Sequence, residues 1–296
     1  MVAVNSAVSG DLVAEFEEFP AGSTVRTLKK ALVQHTQKTR FCQRLLRDGE
    51  ECKDDEELSG GQQSFQLVLL PFRQSQEDAW MAFSNGDVDE VERLLSTPLD
   101  PNLRHADSWT FLHIAAHKGH LFCVSLLLEA RADTDSKTRD GLAALHLAAR
   151  HGHADVLHQL LSKDADKDCL DENQTTPLHY AAWGGSMDMV SQLLRWRADI
   201  NKAASDGTTA LHLAARFDQI QVAKFLIAEK ASVNAQRQNQ GAPLHCAAEE
   251  GHSVLVKLLL EAKAQQFATR EGQTPLSLAS KPAVAKLLKA KLVEKD

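Results

Sequence analysis

The sequence predicts a mainly α-helical chain, a solenoid of stacked helix pairs preceded by a small α+β domain. Three observations carry this reading. Five leucine–histidine pairs, holding His113, His146, His179, His212 and His245, recur every 33 residues, and a fixed period of that length dictates a stacked architecture. Each pair is followed by an apolar run with helical spacing, such as VSLLLEA (124–130) or LVKLLLEA (255–262). The first 72 residues lack the period and instead alternate apolar and polar positions between turn signals.

Taken in order, Val2 and Val4, then Leu12, Ala14 and Phe16, alternate around Gly10 and predict a hairpin. STVRTLKKALVQH (23–35) predicts a helix capped by Ser23 or Thr24, with Val25, Leu28, Ala31 and Leu32 on one face. RFCQRLLRDGEECKDDEEL (40–58) reads as a strand, a turn at Gly49 and an acidic stretch. SFQLVLLPF (64–72) supplies a last strand through Phe65, Leu67 and Leu69, which Pro71 ends. Residues 1–72 form the first domain and 73–76 a linker. DAWMAFSNGDVDEVERLLSTPLDPNL (78–103) reads as a degenerate first unit, 77–104, with Gly86 at its inter-helix turn. Five full units fill 105–269, opening at WTFLHIAAHKGH (109–120), LAALHLAARHGH (142–153), TTPLHYAAWGGS (175–186), TTALHLAARFDQ (208–219) and GAPLHCAAEEGH (241–252). A C-terminal cap, 270–296, begins with QTPLSLAS, where Ser277 replaces the histidine.

The 33-residue period with T-P-L-H-x-A resembles the ankyrin repeat, over roughly residues 77–296. The resemblance implies antiparallel helix pairs with projecting hairpin loops. It also implies that each histidine hydrogen-bonds a threonine hydroxyl and loop backbone. Thr176 then stands at an N-cap, Pro177 at the tolerant first position and His179 at N3. Two departures predict lost stability: Ala143 and Ala242 replace the capping threonine, and Arg131, Asp164, Arg197, Lys230 and Lys263 stand where the family has a left-handed glycine. The N-terminal order of elements is similar to the ubiquitin-like β-grasp, through Gln43-Arg44-Leu45-Leu46, Asp48-Gly49, Leu58 and the QLVLL ending. That family is recognised through an apolar sheet patch, here Leu46 and Val68 with Ala7 or Val8. No diglycine ends the module: the chain runs on as Leu70-Pro71-Phe72-Arg73, and Gly60-Gly61 precedes the last strand. The module is therefore expected to be bound but not conjugated.

Equivalent residues of packed helices lie about 8–10 Å apart, whereas zinc draws its nitrogens to roughly 2 Å. One histidine per unit is therefore a structural device, and no metal is expected. RHGHADVLH (150–158) is the densest histidine cluster and lacks completing cysteines or carboxylates. No P-loop, GxGxxG after a strand, GxSxG or HExxH occurs, so neither catalysis nor a cofactor is expected. A net charge of −7 supplies no basic excess for nucleic acid. There is no 18-residue apolar run, and MVAVNSAVSG has neither the basic n-region nor the apolar h-region of a signal peptide. Five scattered cysteines read as reduced thiols, giving a cytoplasmic, and also nuclear, expectation for a monomer.

What remains is a non-catalytic interaction module or scaffold, with a ubiquitin-pathway adaptor as the alternative. The resemblance puts partners on a concave face of hairpin tips and first-helix ends. Those positions are Trp109, Arg139 and Leu142 at tips, and Lys118, Arg150, Trp183, Arg216, Phe217 and Glu250 at helix ends. The face so read runs from basic through aromatic to acidic, with Trp183 and Phe217 near enough to share a pocket.

Overall fold

A computed structural model describes residues 2–6, 12–16, 23–36, 43–47, 50–56, 58, 63–69, 77–96 and 99–293. Gly10, Ala7, Val8, Cys42, Gly49, Gly60-Gly61 and the stretch 70–76, all read above, lie outside them. Two compact units are present. The first comprises residues 1–105, 110–115 and 122–133, and the second 106–109, 116–121 and 134–296.

In the first unit, β1 (Val2–Ser6), β2 (Leu12–Phe16), β3 (Gln43–Arg47), β4 (Glu50–Glu51) and β5 (Gln63–Leu69) form one sheet, in the order β2-β1-β5-β3-β4. β1 lies parallel to β5, and the other pairings are antiparallel. Period-two alternation sends Val2, Val4, Leu45, Phe65 and Leu67 inward against Val25, Leu28 and Leu32 of α1 (Val25–Thr36). Ala31, assigned to that face, is only half-buried. Leu45 pairs with Leu67, so Leu46 and Val68 both fall on the opposite, partly exposed side. Outside the sheet, α2 (Glu77–Asn85) and α3 (Val88–Leu95) form the first helix pair, and Asp87 caps α3 by accepting from the Glu90 amide. Trp80 and Phe83 both pack on Phe111, with centroids at 4.4 Å. This aromatic cluster packs the degenerate pair against the first residue of the next repeat's helix.

The helix pairs then follow in sequence: α4 (Phe111–Lys118) with α5 (Leu121–Glu129), α6 (Ala144–His151) with α7 (Ala154–Leu161), and α8 (Pro177–Gly184) with α9 (Met187–Arg195). Next come α10 (Ala210–Arg216) with α11 (Ile220–Ala228), α12 (Pro243–Glu249) with α13 (Ser253–Glu261), and the short α14 (Pro275–Leu278) with α15 (Pro282–Val293). Gly86, Gly119, Gly152, Gly185 and Gly251 take positive φ at the inter-helix turn, which puts the degenerate unit in phase with the rest. Only Asp218 departs at that register, also left-handed.

The repeat histidines lie at the join between units, each 1% exposed or less. In α8, His179 Nδ1 accepts from the Thr176 amide at 3.2 Å and lies 2.8 Å from the Thr176 hydroxyl. An amide can only donate, so Nδ1 carries no proton and Nε2 does. That Nε2–H donates to the Thr208 carbonyl of the next hairpin at 2.9 Å. The same bridge runs from His146 to Thr175, from His212 to Gly241 and from His245 to Phe267. At Ala143 and Ala242 the expected loss is only partial. Their amides still reach Nδ1 of His146 and His245, at 3.0 and 3.1 Å, and the hydroxyl contact alone is missing.

Two further ladders follow the same period. Asn102, Asp135, Asp168, Asn201 and Asn234 each accept, through side-chain oxygen, the amide of the residue 31 positions on in the next unit. His153 and His252 donate from Nε2, and Gln219 from its amide, to the His117, Arg216 and Trp183 carbonyls ending the previous unit's first helix. Arg131, Asp164, Arg197, Lys230 and Lys263 are all left-handed, with φ of 61–67°, as the departures from glycine predicted.

Burial lowers the pKa of His146, His179, His212 and His245, that of His212 to about 4. Between that value and the ordinary 6.5 the unfolded chain takes up protons that the folded chain refuses. Stability should therefore be full above about pH 6.5 and fall as the pH drops toward 4. Urea unfolding at pH 7, 6 and 5 should show the loss, with His212 alone contributing on the order of 2 kcal/mol across that range. A midpoint constant with pH would contradict it. Replacing Arg197 by glycine relieves a left-handed side chain costing roughly 1–2 kcal/mol, offset in part by glycine's greater unfolded freedom. The urea midpoint of Arg197→Gly should rise by the equivalent of about 0.5–1 kcal/mol, and an unchanged or lower midpoint would be the contrary result.

Candidate functional site

In the second unit the first-helix ends and hairpin tips gather a cleft of about 460 Å³. Tyr180 and Trp183 from α8 and Phe217 at the end of α10 make its apolar wall. The Trp183 and Phe217 rings stand 5.9 Å apart, and Tyr180 lies 6.3 Å from Trp183. Two bonds brace this wall. The Trp183 carbonyl accepts from Gln219, and Tyr180 Oη donates to Asp171 Oδ2 at 2.9 Å. Asp171 is buried, its other oxygen accepting from the Asn173 and Thr175 amides. Burial and this carboxylate both push the Tyr180 hydroxyl well above its usual range. Tyr180 therefore presents a ring to the cleft, with its proton already committed.

Cations rim the cleft. The Arg150 guanidinium lies 4.7 Å over the Trp183 ring, and Arg216 stands 5.9 Å from the Phe217 ring. Arg216 also pairs with Glu250 at 3.5 Å. This contact pairs the acidic end of the expected run with the arginine of the unit before it. Arg237 lines the cleft from the following hairpin, and its Nε is buried without a hydrogen-bond partner. The Asp206 carboxylate is spent on the amide and hydroxyl of Thr208, both at 2.8 Å. Burial opposes its ionisation, but those bonds and the nearby Arg237 hold its pKa below the usual value.

The other expected positions lie further along this face. Trp109 meets His117 edge-on at 5.7 Å, and His117 meets His151 at 4.3 Å. Burial, then neighbouring cationic groups, lower the pKa of both imidazoles. Lys118 and Arg139 are exposed, with Arg139 near Asp107 at 3.6 Å. Leu142 is half-buried, and its amide donates to Thr138 Oγ1. Thus Trp183, Arg216 and Phe217 line the cleft, Arg150 meets it through the Trp183 ring and Glu250 through Arg216, while Trp109, Lys118, Arg139 and Leu142 stand outside it. Tyr180, Asp206 and Arg237 were not singled out from the sequence. Arg237 had a readable signal: Thr138, Asp171 and Thr269 occupy its register and accept their own hairpin's amide, which arginine cannot do.

No three His, Cys, Asp or Glu residues gather as a metal-ligand set among the described residues. Cys52, Cys123, Cys169 and Cys246 are buried free thiols whose pKa burial raises, that of Cys123 to about 11. They are protonated near neutrality and poor nucleophiles. No described helix is long and apolar enough to cross a membrane.

Helix pairs repeated in this way define a protein of the stacked-repeat class. The family model "Ankyrin repeats (3 copies)" matches residues 79–171, 147–237 and 229–296. The chain belongs to the ankyrin-repeat family, whose members mediate protein–protein interaction. Among solved structures it is similar to the human ASB11 ankyrin repeat domain. That likeness has 25% identity and a TM-score of 0.67, and covers 71% of this chain and 96% of that one. A search of curated proteins gives no match.

Proposed function

We propose that the chain is a non-catalytic scaffold that holds a partner protein on the concave face of its repeats, at the cleft between Trp183 and Phe217. The pairing of those rings at 5.9 Å, braced from behind and rimmed by arginine, carries the reading. Aromatic and arginine side chains in desolvated pockets dominate interface energies. Trp109, Lys118, Arg139, Leu142 and Glu250 extend the surface as a weaker periphery. The working boundaries are 1–72 for the first module, 73–76 for the linker and 77–296 for the repeats, and the chain acts as a monomer in the cytoplasm or nucleus.

A second reading takes residues 1–72 as a ubiquitin-like module that docks on proteasomal or ligase components. It is favoured by the β2-β1-β5-β3-β4 order around α1 and by Leu46 and Val68 sharing the outer sheet side. Arg44, opposite Val68, donates to the Ser96 carbonyl within the same unit, which narrows access from that edge.

Trp183→Ala combined with Phe217→Ala should abolish partner capture, read by crosslinking and mass spectrometry on the intact chain, while thermal unfolding changes little. Unaltered capture would exclude the cleft. For the second reading, Leu46→Ala should remove ubiquitin-pathway components from the same crosslinked set. Their absence from the unmutated chain's set would leave the module without that role.

A further inference from the structure

Resting on that reading, we infer that the partner segment carries a carboxylate beside a large apolar side chain, and that Arg237 and Arg150 read the acid. The argument is one of unmet demand. Arg237 lines this cleft, and its guanidinium, whose inner Nε is buried without an acceptor, enters no ion pair with a described residue. At the same register Thr138, Asp171 and Thr269 close their own hairpins. In this hairpin the task passes to Asn239, which accepts the Gly241 amide at 2.9 Å. Arg237 is thereby released from any structural duty its register would otherwise impose.

The surrounding charges point the same way. Asp206 is the acid in the cleft, and both its oxygens are occupied by Thr208. His179 and His212 line the cleft as neutral imidazoles with both nitrogens used. Glu250 sits with Arg216. Neither Arg150 nor Arg237 forms an ion pair among the described residues. Arg150 and Arg237 are thus the cations at the cleft that no described acid pairs, on a chain of net charge −7. The Arg150 guanidinium lies 4.7 Å over the Trp183 ring at the margin of the cleft, and a guanidinium can meet a carboxylate in bidentate fashion. The same contact preorganises the acid site beside the apolar one. An aromatic or leucine side chain packed against the wall that Trp183 and Phe217 form together would bring an adjacent aspartate or glutamate within the arginines' reach.

The test is panning of a displayed library of random twelve-residue peptides on the full chain. Recovered sequences should be enriched in Asp or Glu within two residues of Trp, Phe or Leu. A synthetic copy of a recovered peptide should lose affinity roughly tenfold or more when its acid becomes Gln. Arg237→Gln should lose a comparable factor with unchanged thermal unfolding, and Arg237→Glu should prefer the Lys version of the peptide. Recovered peptides without acid enrichment, or equal binding of the Gln version, would overturn the inference while leaving the cleft standing, provided Trp183→Ala/Phe217→Ala abolishes their binding. Binding that requires a phosphorylated residue in place of the acid would also overturn it. Binding that survives loss of both rings, or the recovery of no peptide at all, would overturn the cleft itself.

Discussion

Everything in the repeat array hangs on one imidazole used twice. Nδ1 accepts from the amide that starts its own helix, and Nε2 donates to a carbonyl of the following hairpin. Each bond alone is worth about 1 kcal/mol, but together they set the helix start, the loop exit and the offset to the next unit. They also require the ring to be neutral, since a proton on Nδ1 would abolish the first bond and introduce a buried charge. Burial enforces that neutrality. A ring so engaged has no lone pair for a metal and no free base for a substrate. The residue that looks most chemical in the sequence is the one most completely consumed by structure.

The remaining ladders divide the same task. The Asx oxygens tie hairpin to hairpin on one side, while His153, Gln219 and His252 tie three of the second helices to the end of the preceding first helix. Because each bond joins neighbours only, stability accumulates unit by unit, as expected of a quasi-one-dimensional array. The left-handed residues after the second helices are the counterweight, a strain repeated with the same regularity. The candidate cleft benefits directly. Trp183 and Phe217 sit at helix ends fixed by these ladders, so their rings meet on rigid elements and little ordering is left for binding.

Much of this was legible in the sequence, and the boundary is physical. The 33-residue period, the histidines' role, the left-handed positions at Arg131 to Lys263 and the approach of Trp183 to Phe217 all follow from local pattern and repeat geometry. The Asx ladder follows the same period but was hidden, because Asn and Asp in loops are read first as turn formers, and their bond goes 31 residues away. The pairing of Arg216 with Glu250 and the orphaned Arg237 depend on side-chain directions between units, which periodicity does not encode. In the N-terminal module alternation gave the strands and their buried side, but the pairing of β1 with β5 joins the two ends of the segment and leaves no local mark.

The account is tested most directly by the nitrogen-15 spectrum of the imidazoles in the intact chain. At neutral pH the signals of His146, His179, His212 and His245 should show a protonated Nε2 and a bare Nδ1, each held through a hydrogen bond, and should resist titration well below pH 6.5. Rings that carry the proton on Nδ1, or that titrate like free histidine, would contradict it.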